Sequence, residues 1–418
     1  MFRPSFHPSA HQRAVGRNLA VDLVAATGVG VTVALVTTLL PTIARRGGLE
    51  PIGLAALAAA PFVANLLGAF AGRVGPRSQR QLAVIRGAGA ASLLVLAVLA
   101  AAPVMIAVSI AFWLSLSLSG PFHLRLWGSM YPARVRGRVV GFLGSGRAAA
   151  AAVAALAGGV LADQFGGETA VALAGLAGLI CALAYAGLRA PNAQRPPMFS
   201  ARDSIQALRD RPFLSRIAVA QGFYGGGLIA AAPLYAMVNV DRLDLSLADV
   251  GIIGILTAGA TTLSFLVWGA LADRRGPLVA MRFGSALGLG ALIAYALAPD
   301  VAVLWIAGIA AGAGGASIEV GIASAVSDHT PLASRAAAMA GWNAITGARG
   351  IVAAFTMSVL LQIGIVDVTT GLLLCAAVSA IGVVLYARVD TTTITTEAHT
   401  APSRMWRAAR ELRSVASR

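Results

Sequence analysis

The residues able to do chemistry in this sequence are few, and several stand where an ionised group is costly. Glu319 lies in the apolar run Val301–Ser327, Arg147 in Val139–Ala162 and Arg349 in Arg335–Gly364. At about 1.5 Å per residue of helix, Arg147 is roughly 13 Å from Arg138 and Arg349 roughly 21 Å from Arg335. Glu319 precedes Pro331 by roughly 18 Å, near the middle of a hydrocarbon core about 30 Å thick. A charge at that depth costs about 2.5–3.5 kcal/mol on insertion scales, so it is paired or faces water. Arginines so placed can hold the anionic or polar part of a solute, and a carboxylate can carry a proton. Asp22, near the start of the first apolar run, is a second proton-carrier candidate. The blander alternative has Glu319 and Arg349 neutralising each other between helices. Arg125 is close enough to Pro132 to reach the interface along its own stem.

Other chemistry finds little footing. The chain contains no lysine, hence no Walker-type phosphate loop, and no His-Glu-x-x-His or Gly-x-Ser-x-Gly run. The glycines of Gly312–Gly315 and Gly225–Gly227 read as packing or hinge positions. Cys181 and Cys375 fall inside apolar runs of opposite halves and read as small buried residues, not a disulfide. No enzyme, metal site or cofactor is expected.

Composition says which elements must position these groups. Of 418 residues 58% are hydrophobic and 12% charged, against about 25% charged in soluble proteins; the mean hydropathy is +0.79. Roughly 20 apolar residues cross a bilayer, and the pattern predicts an all-α membrane protein with twelve transmembrane helices in two pseudo-symmetric six-helix bundles. The expected divisions are a tail over 1–16, a first bundle over 17–189, a linker over 190–212, a second bundle over 213–388 and a tail over 389–418. A Ser200–Asp203 capping pattern predicts a short surface helix in the linker. In the last segment Met405, Ala409, Leu412 and Val415 recur at helical spacing, which suits either an amphipathic helix on anionic lipid or a solvated tail.

The net charge of +15 would suggest nucleic acid in a soluble domain. Here most arginines fall in the tails and alternate loops, while Glu50, Asp163, Glu168, Asp241, Asp244, Asp300 and Asp367 mark the other side. By the positive-inside rule both termini are cytoplasmic, and no nucleic-acid partner is needed.

Two loops repeat. Gly269–Gly276 reads GALADRRG, and Gly68–Gly75 reads GAFAGRVG, 201 residues earlier. The pattern Gly-x-x-x-Asp-Arg-x-Gly resembles the cytoplasmic loop signature of the major facilitator superfamily, on Gly269, Asp273, Arg274 and Gly276 and, more weakly, Gly68, Arg73 and Gly75. Gly72 stands where the family has aspartate. The expectation is that Gly269 lets one helix end pack closely and Asp273 ends that helix beside a partner's positive end.

The resemblance implies a bacterial inner-membrane transporter whose runs 1, 4, 7 and 10 line a central cavity and whose halves rock about it. It then makes Arg147, Arg349, Trp342, Asn343, Thr346, Trp113, His123, Tyr224 and Asn65 the substrate-binding candidates, and Glu319 and Asp22 the proton-coupling ones. Gly141, Ala150, Ala154, Gly158 and Gly159 in the fifth run resemble an antiporter motif in spacing, with Ala155 in place of the proline. The function implied is a proton-coupled exporter of a small or amphipathic, anionic solute, acting as a monomer in the lipid bilayer. The alternative is a non-transporting facilitator-like protein serving as sensor or assembly factor.

Overall fold

A computed structural model of the chain describes residues 10–68, 75–131, 133–189, 201–331 and 334–389. Arg73 and the helical pattern after residue 400 lie outside them. The described residues form helices and no strand. The first membrane helix, α1, is Ala10–Ala34, continued by a π-helical turn Leu35–Leu39 and by Leu40–Arg46. Then come α2 Pro51–Gly68, α3 Gln79–Leu96, α4 Ala102–Met130, α5 Ala133–Phe165 and α6 Gly167–Gly187. A linker helix, Ala201–Arg209, leads to α7 Pro212–Met237, which also ends in a π-helical turn, Val238–Arg242. The last five are α8 Leu247–Arg275, α9 Pro277–Leu297, α10 Val301–His329, α11 Arg335–Gln362 and α12 Val368–Arg388. Eleven are long and apolar enough to span a bilayer. The helix outside that set is α3, which carries Arg80 and Arg86 within its 18 residues.

The two bundles are built alike. In the first, α1 packs on α5 and α6, α2 on α4, and α3 on α4 and α6; in the second, α7 packs on α11 and α12, α8 on α10, and α9 on α10 and α12. The reason is partly local. A side chain at Gly28 would run into Ala177 and Cys181 of α6, and one at Gly227 into Cys375 and Ser379 of α12. Without a hydrophobic force between helices in lipid, such close backbone approach supplies the packing. Loop arginines repeat too. Arg136 donates to the carbonyls of Gly128 and Tyr131 beyond α4, and Arg335 to those of Ser327 and Thr330 beyond α10, each a cation on the negative end of a helix.

The two bundles share one face and part at the other. On the face opposite the start of α1, the far face, a single apolar core mixes Leu35, Leu39 and Leu57 with Leu234, Leu247 and Leu304. On the terminal face the core is double. Leu82, Phe122, Leu126 and Tyr185 cluster in the first bundle, while Phe213, Ile217, Met281 and Tyr386 cluster in the second. The linker helix sits with the second bundle, Leu208 buried in that core and Ser204 against Gly341. Both cysteines are free and buried.

Candidate functional site: the cleft between the bundles

Where the shared core ends, the bundles enclose a cavity of about 560 Å³. Its walls come from both halves: Thr37 and Thr38 of α1, Trp113 of α4, Tyr235 of α7 and Thr257 of α8 among them. No arginine, aspartate or glutamate lines it. Asn239, in the π-helical turn ending α7, is a cavity residue whose Oδ1 has no hydrogen-bond partner. Such turns occur often at functional sites. The cavity is therefore apolar with a few fixed polar atoms, the make-up of a small-molecule site.

The charged residues lie towards the terminal face from it. Ala151 and Ala155 of α5 line the cavity, and Arg147 is on the same face of α5 one turn nearer the terminal side; its side chain is exposed. Across the cleft, Ala311 of α10 lines the cavity, and Gly315 and Glu319 continue that face, both exposed. Within the described residues neither Arg147 nor Glu319 is in an ion pair.

The far face is closed by charge-assisted bonds between the bundles. Arg45 Nε donates to both oxygens of Asp241 at 3.0 and 2.9 Å. Asp163, at the end of α5, accepts from the Leu247 and Ala248 amides of α8 at 2.8 and 2.7 Å, a carboxylate on a helix's positive end. Gln362 Nε2 donates to Glu50 at 2.7 Å, and its Oε1 accepts from the Ile52 amide. Below, small residues carry the contact: Gly159 meets Leu247, and Gly251 meets Ala155.

A polar knot lies buried in each bundle. In the first, Asp22 is fully buried and accepts from Trp127 Nε1 at 2.6 Å, Tyr131 at 3.1 Å and His123 Nε2 at 3.2 Å. Arg86 lies above the Tyr185 ring, 5.6 Å from its centre. In the second, Gln221 accepts from the Tyr386 hydroxyl at 2.6 Å, and Arg349 donates to the Gln221 carbonyl.

A family model described as Major Facilitator Superfamily matches residues 23–305 and 217–416. The chain belongs to the major facilitator superfamily. Among solved structures, the nucleoside transporter NupG matches with a TM-score of 0.70 at 14% identity, over 90% of this chain and 98% of that one. A bacterial homolog of the human lysosomal transporter Spinster, inward-facing and occupied, matches with a TM-score of 0.70 at 12% identity, over 94% and 99%. No curated protein sequence matches. At these identities the structural likeness establishes the facilitator fold.

Within that fold the predicted site residues divide. Trp113 is at the cavity, and Arg147, Glu319 and exposed Asn343 lie on open faces. Asn65 and Thr346 are half-buried and outside the cavity wall. Three differ from the expectation. Tyr224 is buried, its hydroxyl against Gly288 of α9, so it points away from the cleft. Trp342 is buried in the core of the second bundle. His123 is in the Asp22 knot and does not line the cavity. Nor do Glu319 and Arg349 pair: Arg349 lies across Gly225 on α7 and is bound to a backbone carbonyl.

The loop glycines differ as well. A side chain at Gly68 would strike Ser117 of α4, whereas one at Gly269 would meet nothing. Asp273 and Arg274 are exposed, with no partner among the described residues, and Gly276 closes α8 at φ +84°. The close approach expected of Gly269 is made by Gly68 instead, against α4 of its own bundle. Asp163 was named only as a charge on the far side, and Arg86, Asn239 and Gln362 were not singled out in the sequence. Only Arg86 carries a signal there, lying four residues inside an apolar run.

Proposed function

We propose that this facilitator is a secondary active transporter that moves an amphipathic, anionic solute across a bacterial inner membrane by alternating access, coupled to protons through Glu319. One observation carries the reading: an apolar two-bundle cavity, sealed at the far face, continues on the terminal side into open faces bearing unpaired Arg147 and Glu319. The apolar part of a solute suits the cavity and its anionic group suits Arg147. Glu319, exposed where the bundles part, can take up a proton on one side and release it on the other. Read by the positive-inside rule, the arginine-rich loops put the terminal face on the cytoplasmic side, and this conformation then corresponds to an inward-open state. The two structures compared above are a nucleoside transporter and a homolog of a lysosomal transporter. Direction depends on whether solute and proton bind together or in exchange.

A second reading, a facilitator-like protein that senses or assembles without transporting, is favoured by Gly72 in place of the family's aspartate. Proteoliposomes decide between them. With an imposed pH gradient the wild type should accumulate one of a panel of amphiphilic and water-soluble anions. Glu319→Gln, folded as judged by its melting curve, should still exchange that solute down its own gradient but lose pH-driven accumulation. Normal uphill transport by Glu319→Gln would remove the proton role, and no transport of any anion by the wild type would favour the second reading.

A further inference from the structure

The cleft chemistry leaves Asn239 without a task. It stands in the π-helical turn Val238–Arg242 that ends α7, and it lines the cavity. Its side chain is only 5% exposed. Even so, Oδ1 has no hydrogen-bond partner, and among the described residues Nδ2 makes no bond either. A buried carboxamide with its acceptor and its N–H donors unmet is costly. Which way the amide is turned does not matter, since both of its ends are free. Water can meet these atoms in an open cavity, but a solute that displaces the water has to replace its bonds.

The turn is held from both sides, so the amide is fixed in place before any solute arrives. Two residues on, Asp241 takes both bonds from Arg45 of the opposite bundle, which puts Asn239 at the far-face end of the cavity. Arg242 donates to the carbonyls of Tyr295 and Ala296 of α9. The Asn239 carbonyl itself accepts from the Leu245 amide at 2.7 Å. Tyr235, one turn earlier on α7, and Tyr295 also line the cavity, with ring centres 4.3 Å apart, and add a flat apolar wall. Elsewhere on the wall, Thr37 donates its proton to the Val33 carbonyl at 2.8 Å, and Thr257 to that of Ile253 at 2.7 Å. Each of these hydroxyls has lone pairs left to accept with and no proton to give.

We infer that Asn239 makes the far end of the cavity a subsite for a primary amide or lactam edge of the solute, and that it is the specificity-determining residue there. Such an edge carries an N–H and a carbonyl oxygen side by side. It pairs with the oxygen and an N–H of the Asn239 amide in two bonds at once. A carboxylate or an ester brings no donor and leaves Oδ1 unmet, and an alkyl end leaves both atoms unmet. Threonine oxygens that only accept likewise favour a solute with N–H groups. The anionic group of the solute then lies at the opposite end, towards Arg147, with an apolar stretch between. The inference rests on the proposed reading that this cavity holds the transported solute, and its test reads binding instead of transport.

The full chain in nanodiscs is titrated by calorimetry with two probes, the monoamide of undecanedioic acid and its methyl monoester, and empty nanodiscs supply the blank. The ester keeps the carboxylate, the apolar chain and the carbonyl acceptor, and loses both N–H donors. Wild type should bind the monoamide about tenfold more tightly than the ester, because the ester leaves a buried acceptor unmet. Asn239→Leu, checked for folding by its melting curve, should bind the two probes alike. Equal affinity of the wild type for both probes overturns the inference, and that comparison needs no variant. So does a monoamide that fails to bind, or an amide preference that survives in Asn239→Leu. Transport driven by a pH gradient through Glu319 can survive each of these failures. Amide-selective binding without any transport would keep the subsite and favour the second reading of function, so the two claims fail separately.

Discussion

Tyr185 and Tyr386 hold the same place in the two bundles, 201 residues apart, and Asp22 and Gln221 lie on the equivalent helices α1 and α7. The scaffold is common and the polar chemistry is not. In the first bundle the position on α1 is a carboxylate, and it gathers His123, Trp127 and Tyr131. In the second it is a neutral amide, and it holds Tyr386 by its side chain and Arg349 by its backbone. Duplicated architecture keeps the two tyrosines in place, but Asp22 draws its partners from α4 and the residue that follows it, and Gln221 from α11 and α12. It leaves open whether the knot carries a net ionisable group. The first bundle has one, and the second has an amide in its place.

The comparison can be broken most forcefully at Asp22. Asp22→Ala leaves three buried donors unmatched and should destabilise the protein by about 3–5 kcal/mol. Gln221→Ala, its counterpart, removes a neutral bond and should cost about 1–2 kcal/mol. Thermal and denaturant unfolding in detergent measure both. Equal losses would mean that the knots are interchangeable packing.

A smaller effect is expected at the far-face seam, which contrasts with the parted terminal face. Asp163→Ala removes two charge-assisted bonds to the α8 amides. After allowance for partial exposure this should shift the balance towards an outward-open form by about 2 kcal/mol. A reporter cysteine at Ala236, on the cavity wall, should then react with a membrane-impermeant thiol reagent on the far side more than tenfold faster. Unchanged reactivity would show that Gly159, Gly251 and Ala155 hold the seam without Asp163.

The smallest effect is expected at Asp273. It has no partner among the described residues, so Asp273→Asn should change unfolding free energy by less than about 0.5 kcal/mol. Any charge lock it forms belongs to the opposite, terminal-closed state. Transport should therefore slow while stability holds. A large loss of stability would mean that Asp273 is bound in this conformation as well.

Sequence by itself determined the helices, their approximate ends and the duplication, because about 20 apolar residues and a repeated loop are local signals that lipid enforces. It also marked Arg147 and Glu319, since a charge in an apolar run is conspicuous whatever it touches. The tertiary structure decided which way side chains point and what they meet. Tyr224 and Trp342 share helices with cleft residues, but their directions around the axis are set by α9 and by the core of the second bundle. Arg349 stands apart from Glu319 because its acceptor is a backbone carbonyl, and every residue type has one. Asp163 reads as a loop charge until α8 brings two free amides to it from 84 and 85 residues away. Hydrophobic length is written along the chain; pairing across a bundle depends on azimuth and register, which only the packed helices fix.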